Sequence, residues 1–279
     1  MLTEDQKTFY DENGYLLVED AVTPDQLKRL REITYRLIDG SRGVTESNEV
    51  YDLDKGHSAD TPRLTRVKLP HKRDPYVWDL IRNSKMTEVL TDLLGPHTNL
   101  LTSKLNTKAP GGGRAVEWHQ DWAFYPHTND DMLAFGVFLE DVTEENGPLE
   151  VLPGSHKGEI HGLWHNGIFT GAVTQDVADE SQSKAVVCTG KAGSVCLMHT
   201  RLLHGSTPNL SRQSRTLFIC VYSAEDAIPC SPNPVPTKFQ GLLVKGEKTN
   251  KVRSMDFQID LPQLPSTASF FDQQANDAH

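Results

Sequence analysis

Cysteine is scarce: the chain holds four, Cys188, Cys196, Cys220 and Cys230, far apart and in no C-x-x-C pair. That excludes a zinc ribbon and a disulfide framework. Three of them sit in or beside apolar, strand-like text, where a free thiol behaves as a small buried hydrophobe, and a reducing, cytoplasmic setting is expected. No apolar run approaches the roughly 18–20 residues that a membrane helix needs. The opening stretch, MLTEDQKTFYDENGY, carries acids where a signal peptide carries bases and an apolar core, so a soluble, unexported chain with no membrane partner is expected. Positive charge is in deficit, with 28 basic residues against 38 acidic ones and a formal net charge of −10. Such a molecule repels phosphate backbones and anionic lipid, which argues against nucleic acid and leaves a small-molecule substrate as the expected partner. Repeats and low-complexity tracts are also missing. What is present is a globular composition, 37% apolar and 24% charged, enough for a core and too balanced for a wholly disordered chain. Whether it is a monomer or a homodimer is left open.

A length of 279 residues suits one decorated domain, expected here over 1–279. Residues 1–97 read as mostly helical. Thr23, Pro24 and Gln26 form a capping box with proline at the first helical position, followed by Leu27, Leu30, Ile33 and Leu37 at helical spacing up to Gly40. A further helix is predicted over about 79–94, interrupted or capped near Asn83 and Ser84 and closed by Gly95-Pro96. Residues 41–61 are polar and unperiodic, as in a surface loop or a pocket mouth. Over 98–225 the segments 99–108, 132–142, 149–152, 185–188, 194–199 and 215–223 are rich in β-branched and aromatic residues and separated by turn material. That succession predicts an antiparallel double-sheet structure, jelly roll or sandwich. Residues 157–184 are too long for an ordinary connection and suggest a lid or binding loop, while 226–279, with Pro229, Pro236, Pro262 and Pro265, reads as extended wrapping.

The chemistry concentrates in the β-rich half. In His119-Gln120-Asp121 a strand would turn the imidazole and the carboxylate to one side, and a second histidine from a later strand would complete the two-histidine, one-carboxylate triad that binds non-haem Fe(II) with open positions for substrate and oxygen. H-x-D alone is a weak signal, and both His199 and His204 stand where a third ligand could come from. His204-Gly205-Ser206-x-Pro208-Asn209 is followed after eleven residues by Arg215, at the start of the apolar strand Thr216–Val221. An arginine entering a core strand needs an anion, either a dicarboxylate cosubstrate or one of the protein's own acids.

These segments, with Trp118-His119-Gln120-Asp121, Glu140-Asp141-Val142, Glu145-Asn146-Gly147-Pro148-Leu149 and Leu152-Pro153-Gly154-Ser155-His156, resemble the phytanoyl-CoA dioxygenase family of Fe(II)- and 2-oxoglutarate-dependent oxygenases over about residues 5–225. The resemblance implies a mainly β fold with flanking helices, a double-stranded β-helix (jelly roll, cupin-like). It implies His119, Asp121 and His204 as catalytic metal ligands, Arg215 on the distal carboxylate of 2-oxoglutarate and Ser206 beside it, and O2 as the oxidant, with succinate and CO2 released. Asp121 stands where related halogenases have a small residue, so hydroxylation or another C–H oxidation is expected. His199 then becomes a pocket or packing residue, and His156 a structural one.

Lys104 and Asn106 share a strand face that can turn toward the cosubstrate, a position that contacts it in some relatives. Trp122, Phe124, Tyr125 and His127 follow the H-x-D and are expected on the cavity wall, with at least one of Trp122 and Tyr125 touching substrate. Trp164 and His165 are candidate lid residues. The basic run Arg63, Arg66, Lys68, His71, Lys72 and Arg73 reads either as a solvated face or as a contact for an anionic substrate group. The competing class is a non-redox, cupin-like metal protein, a hydrolase or isomerase included, using the same cluster.

Overall fold

The computed structural model describes residues 1–234, 238, 240–263 and 274. Pro236 and Pro265 of the expected wrapping segment lie outside the described residues. The chain runs α1 (Glu4–Asn13), β1 (Tyr15–Val18), α2 (Pro24–Asp39), β2 (Tyr51–Leu53), β3 (Leu64–Lys68), α3 (Pro75–Arg82), α4 (Lys85–Leu94), β4 (Thr98–Lys108), β5 (Val116–His119), β6 (Met132–Phe138) and β7 (Leu149–Val151). It continues through β8 (Trp164–His165), β9 (Ile168–Phe169), α5 (Gln175–Ser183), β10 (Val186–Cys188), β11 (Val195–His199), β12 (His204–Ser206), β13 (Arg215–Ala224) and β14 (Leu242–Lys245). The capping box at Thr23 forms as predicted, its side chain accepting from the Gln26 amide at 3.2 Å. The break expected near Asn83 and Ser84 is there: Ser84 caps α4, and a separate helix, started by Asp74 and Pro75 rather than at Asp79, precedes it.

Eight described strands form one antiparallel sheet in the order β1-β11-β6-β13-β4-β3-β2, with β14 added on β4. A second sheet runs β10-β7-β12-β5. Alternation along each strand decides what each face covers. Leu133, Phe135 and Val137 of β6 and Phe218, Cys220 and Tyr222 of β13 pack with Leu30, Ile33, Ile81 and Leu90 of the helices. The alternates Ala134 and Phe138 of β6, with Cys196 and Met198 of β11, pack with the second sheet's Val151 and Cys188. β6 is therefore buried on both faces, which accounts for its unbroken apolar run. The two facing sheets resemble those of a double-stranded β-helix, but among the described residues no strand joins them, so the expected jelly roll is here an open arrangement with five described flanking helices rather than a closed barrel.

The sequence reading of 41–61 as loop missed β2, and β3 was not foreseen; both extend the large sheet. None of residues 157–184 lines the cavity between the sheets. Trp118 and Leu203, turned outward from the second sheet, need cover, and Val173, Val177 and Ala178 supply it, with the Trp118 indole donating to Gln182 Oε1 at 3.2 Å. No helix among the described residues is long and apolar enough to cross a membrane.

Candidate metal centre

His119 is the last residue of β5 and pairs directly with His204, the first of β12. Gln120 keeps extended dihedrals, so the strand alternation carries through to Asp121 although a 3-10 turn begins there. The three side chains converge: His119 Nε2 lies 3.5 Å and His204 Nε2 4.0 Å from Asp121 Oδ1, and one ligand atom from each lies within 4.8 Å of the others. Each imidazole is set by a backbone carbonyl, Glu117 O at 2.7 Å from His119 Nδ1 and Leu202 O at 2.9 Å from His204 Nδ1. A carbonyl only accepts, so Nδ1 carries the hydrogen in both rings and Nε2 offers its lone pair toward the carboxylate. Burial, then His119, push the His204 imidazole down to about 3, which keeps it neutral and able to ligate. Burial alone would raise the Asp121 carboxyl; Lys104, then the two imidazoles, outweigh it and hold it ionised. Two neutral nitrogens and one carboxylate on one side of a buried point fit a divalent iron with open positions opposite. His199 stays apart, its ring 5.2 Å from that of His156, whose Nε2 donates to Asp11 O at 3.0 Å. Both are packing residues at the α1–β11 junction.

Gln120 points away from the metal side. Its amide donates to Glu159 O at 3.0 Å and Arg201 O at 2.7 Å, and its oxygen accepts from the His161 amide at 2.9 Å. The residue between two ligands thus ties β5 to the segments on either side of β12.

A cavity of about 600 Å³ opens on the triad between the sheets, and Lys104, Asn106, Ser206, Arg215, Phe124 and Tyr125 all line it. Arg215 is 2% exposed; it donates to Gly147 O, its Nε has no partner, and it makes no ion pair with a carboxylate among the described residues. The acid whose charge reaches it is Glu140, whose carboxylate accepts from the Thr216 amide at 2.7 Å. Across the ladder, directly paired with Arg215, stands a residue the sequence reading missed: Lys108, also buried and lining the cavity. Its ammonium donates to Ser206 Oγ at 2.7 Å and to Thr207 O. Burial, then the neighbouring Arg215, push it down to about 6, with Glu150 opposing. Gly147 explains the Asn-Gly-Pro motif: with φ +76°, its absent Cβ would sit 2.6 Å from Thr207 O and 2.7 Å from Lys108 Cδ.

The aromatic run divides. Tyr125 lines the cavity with its buried hydroxyl unpartnered, and burial, then the Asp121 charge, raise that phenol well above its ordinary value. Trp122 does not reach the cavity: fully buried, it packs on Phe257 at 4.8 Å between ring centroids and donates to Asn129 O. His127 donates to Tyr125 O at 2.7 Å away from the cavity, and Trp164 packs with Phe124 and Phe169 and donates to Leu261 O at 3.0 Å. Adjacency to the H-x-D placed Trp122 and His127 on the cavity wall in the sequence reading, and the 3-10 turn that begins at Asp121 leads the chain away from it. Of the basic run, Arg66 and the buried Lys68 line the cavity, with exposed Lys72 and Arg73 at its edge.

Residues 10–217 match the phytanoyl-CoA dioxygenase family. The chain is 36% identical over 266 residues to a probable alpha-ketoglutarate-dependent hypophosphite dioxygenase from Stutzerimonas stutzeri, an alignment covering 94% of this chain and 92% of the relative. It is 28% identical over 249 residues to an L-proline trans-4-hydroxylase from Streptomyces griseoviridis, covering 82% and 89%. Among solved structures it is similar to EctD from S. alaskensis with 2-oxoglutarate and 5-hydroxyectoine, at TM-score 0.69 and 22% identity over 93% of this chain and 88% of that one.

Proposed function

Since this chain belongs to the phytanoyl-CoA dioxygenase family and is an Fe(II)- and 2-oxoglutarate-dependent oxygenase of a small molecule, we propose that it hydroxylates an unactivated C–H or comparably inert bond, with Arg215, Lys108 and Ser206 holding the cosubstrate. The observation that carries the reading is two buried basic side chains, Arg215 and Lys108, side by side in the cavity that the metal triad opens on. Iron bound by His119, Asp121 and His204 supplies, with O2 and 2-oxoglutarate, oxidative decarboxylation to succinate and CO2 and the oxidation of the substrate.

The residues of the chain do the rest. Arg215 presents a planar fork to the distal carboxylate while Gly147 O fixes its far side. Lys108, kept neutral by its surroundings in the free site, gains its proton when the carboxylate arrives. Ser206 passes a hydrogen-bond link between β12 and Lys108, so the strand that carries His204 also senses the cosubstrate. Leu217, Ile219 and Phe138 give the cavity an apolar floor that excludes water from the reacting centre. We further read residues 1–279 as one catalytic domain whose two facing sheets are the halves of a double-stranded β-helix. Four free thiols support a reducing, cytoplasmic compartment.

Succinate formation from 2-oxoglutarate tests the reading. It is expected to depend on Fe(II) and to be lost in His119→Ala and Asp121→Ala. Apparent 2-oxoglutarate affinity that survives Arg215→Ala unchanged overturns the cosubstrate assignment.

A further inference from the structure

Trp122 and Trp164, which miss the cavity, both pack on the chain's C-terminal region. Residues 126–129, just after the turn at Asp121, carry two extended pieces of that region. On one side the Thr128 amide donates to Ile228 O at 2.9 Å and the Cys230 amide to Pro126 O at 2.8 Å. On the other the Met255 amide donates to Thr128 O at 2.9 Å and Asn129 Nδ2 to Arg253 O at 3.0 Å. The first piece reaches the cavity with Asn233 and Pro234, the second with Pro262 and Gln263. The second belongs to no sheet and is held by side chains: Met255, Phe257 and Ile259 are half-buried while Asp256, Gln258 and Asp260 are exposed, the alternation of an extended chain lying on an apolar surface. Phe257 meets the Trp122 ring edge-on at 4.8 Å between centroids, and Ile259 packs in the cluster of Phe124, Leu163 and Phe169. Trp164 then donates to Leu261 O at 3.0 Å, one residue before the chain enters the cavity wall. Asn233 marks which end of the cavity this is. Its Nδ2 lies 3.4 Å from Leu101 O, and Leu101 stands seven residues along β4 from Lys108, about 23 Å at strand rise.

We propose that Met255–Gln263 is a strap that closes the substrate end of the cavity, with Pro262 and Gln263 setting the size of molecule that reaches the metal and Trp164 as the positioning residue that holds the strap down. The inference rests on 2-oxoglutarate occupying the Arg215–Lys108 end, because the substrate is then left the end that the strap walls. The two sheets fix the rest of the cavity through ladder hydrogen bonds, so opening it elsewhere means breaking a sheet. A single extended segment hung on three apolar side chains and one indole can lift and reseat at far lower cost, which admits substrate and then shuts water out of the metal centre. The 157–184 insertion thereby gains a part in the site without lining it: Leu163, Trp164 and Phe169 are the anvil on which the strap rests.

Cys196 reports on the closure. It lines the cavity, whereas Cys188 and Cys220 are buried outside the lining and Cys230 is exposed. The whole chain, loaded with iron and 2-oxoglutarate in the absence of oxygen, is treated with methyl methanethiosulfonate, and modification of each cysteine is followed by peptide mass. Cys196 is expected to react more slowly than Cys230. Trp164→Phe, which keeps a ring and loses the bond to Leu261, and Ile259→Ala should each speed Cys196 at least about fivefold, while Cys188 and Cys220 keep their rates. Gln263→Trp, which enlarges the end of the strap, should slow it. Affinity for 2-oxoglutarate should stay within about twofold in all three variants. Should Ile259→Ala not fold, Trp164→Phe carries the same comparison. The proposal is overturned if Cys196 of the unaltered protein reacts as fast as Cys230, if neither loosening variant speeds it, if Cys188 and Cys220 speed in step with it, or if Gln263→Trp leaves its rate unchanged. Protein that fails to bind 2-oxoglutarate overturns the functional reading instead, and the same labelling without cosubstrate still decides whether the strap closes the cavity.

Discussion

Arg215 and Lys108 are direct partners across the β13–β4 ladder, both buried, both lining the cavity that reaches the metal triad. Two cations so placed repel each other in a medium of low dielectric, and the fold tolerates them because one, Lys108, can shed its proton. Their separate removal is expected to act on 2-oxoglutarate rather than on the metal. Arg215→Ala and Lys108→Met should each cost about 2–4 kcal/mol of cosubstrate binding, on the order of 30- to 1,000-fold in Kd. Calorimetric titration of 2-oxoglutarate checks the value, and Fe(II) affinity close to that of the unaltered protein checks its locality.

The same pair predicts a pH dependence. Lys108 sits at about 6 in the free site, pushed there by burial and then by Arg215, with Glu150 opposing. A carboxylate bound between the two cations favours the ammonium and raises that value. Between pH 6 and the raised value, binding therefore takes up a proton, and affinity falls as pH rises, by no more than about tenfold per unit. Titrations at pH 8 in buffers of different ionisation enthalpy should find an uptake approaching one proton. Lys108→Met should abolish it; an unaltered protein that takes up none contradicts the assignment.

Gly147 tests the pocket without touching a charge. A methyl group there meets Thr207 O at 2.6 Å and Lys108 Cδ at 2.7 Å, on a backbone with φ +76°. The lysine stem can move but the carbonyl cannot, so Gly147→Ala should push Lys108 off Ser206 and tilt the carbonyl that Arg215 holds. Strain at a left-handed residue adds roughly 1–2 kcal/mol of lost stability. The expected result is a raised KM for 2-oxoglutarate with a modest drop in Tm, read by steady-state kinetics and thermal unfolding.

How far the sequence foretold this site follows from where each signal is encoded. His119-x-Asp121 is local, and strand alternation sufficed to bring it to one side; His204 and Arg215 sit at strand starts marked by turn residues on one flank and apolar text on the other. Lys108 carried no such mark. In the text it is a polar residue at a strand end, and its burial comes from pairing with Arg215 and from the space that Gly147 leaves. Arg66 stood in a basic run that reads equally as a solvated face or as a contact for an anionic group, since β3 is only five residues long and its alternation is masked by charge. Trp122 and His127 misled in the opposite direction: adjacency to a ligand suggests the cavity, but a 3-10 turn rotates the chain out of strand register within one residue. The long insertion looked like a lid because length alone cannot tell which exposed apolar face it covers.

Gln120 yields the last prediction, because it separates support of the metal from contact with it. The side chain is 1% exposed and satisfies three backbone groups, the carbonyls of Glu159 and Arg201 and the amide of His161. Gln120→Leu keeps the volume and strands those groups in a dry interior, a loss of about 2–4 kcal/mol overall if solvent reaches some of them. Arg201 lies three residues before His204, so the released segment is the one that delivers the third ligand to β12. Metal affinity should therefore fall about 10- to 100-fold, although Gln120 points away from the triad. Gln120→Glu, which retains the acceptor for His161 but not the donors, should fall further than a simple halving, since a buried carboxylate would face two carbonyl oxygens. Fe(II) titration together with Tm, taken with and without metal, reads both effects: a fall in Tm with metal affinity unchanged would make Gln120 a stabilising residue and nothing more.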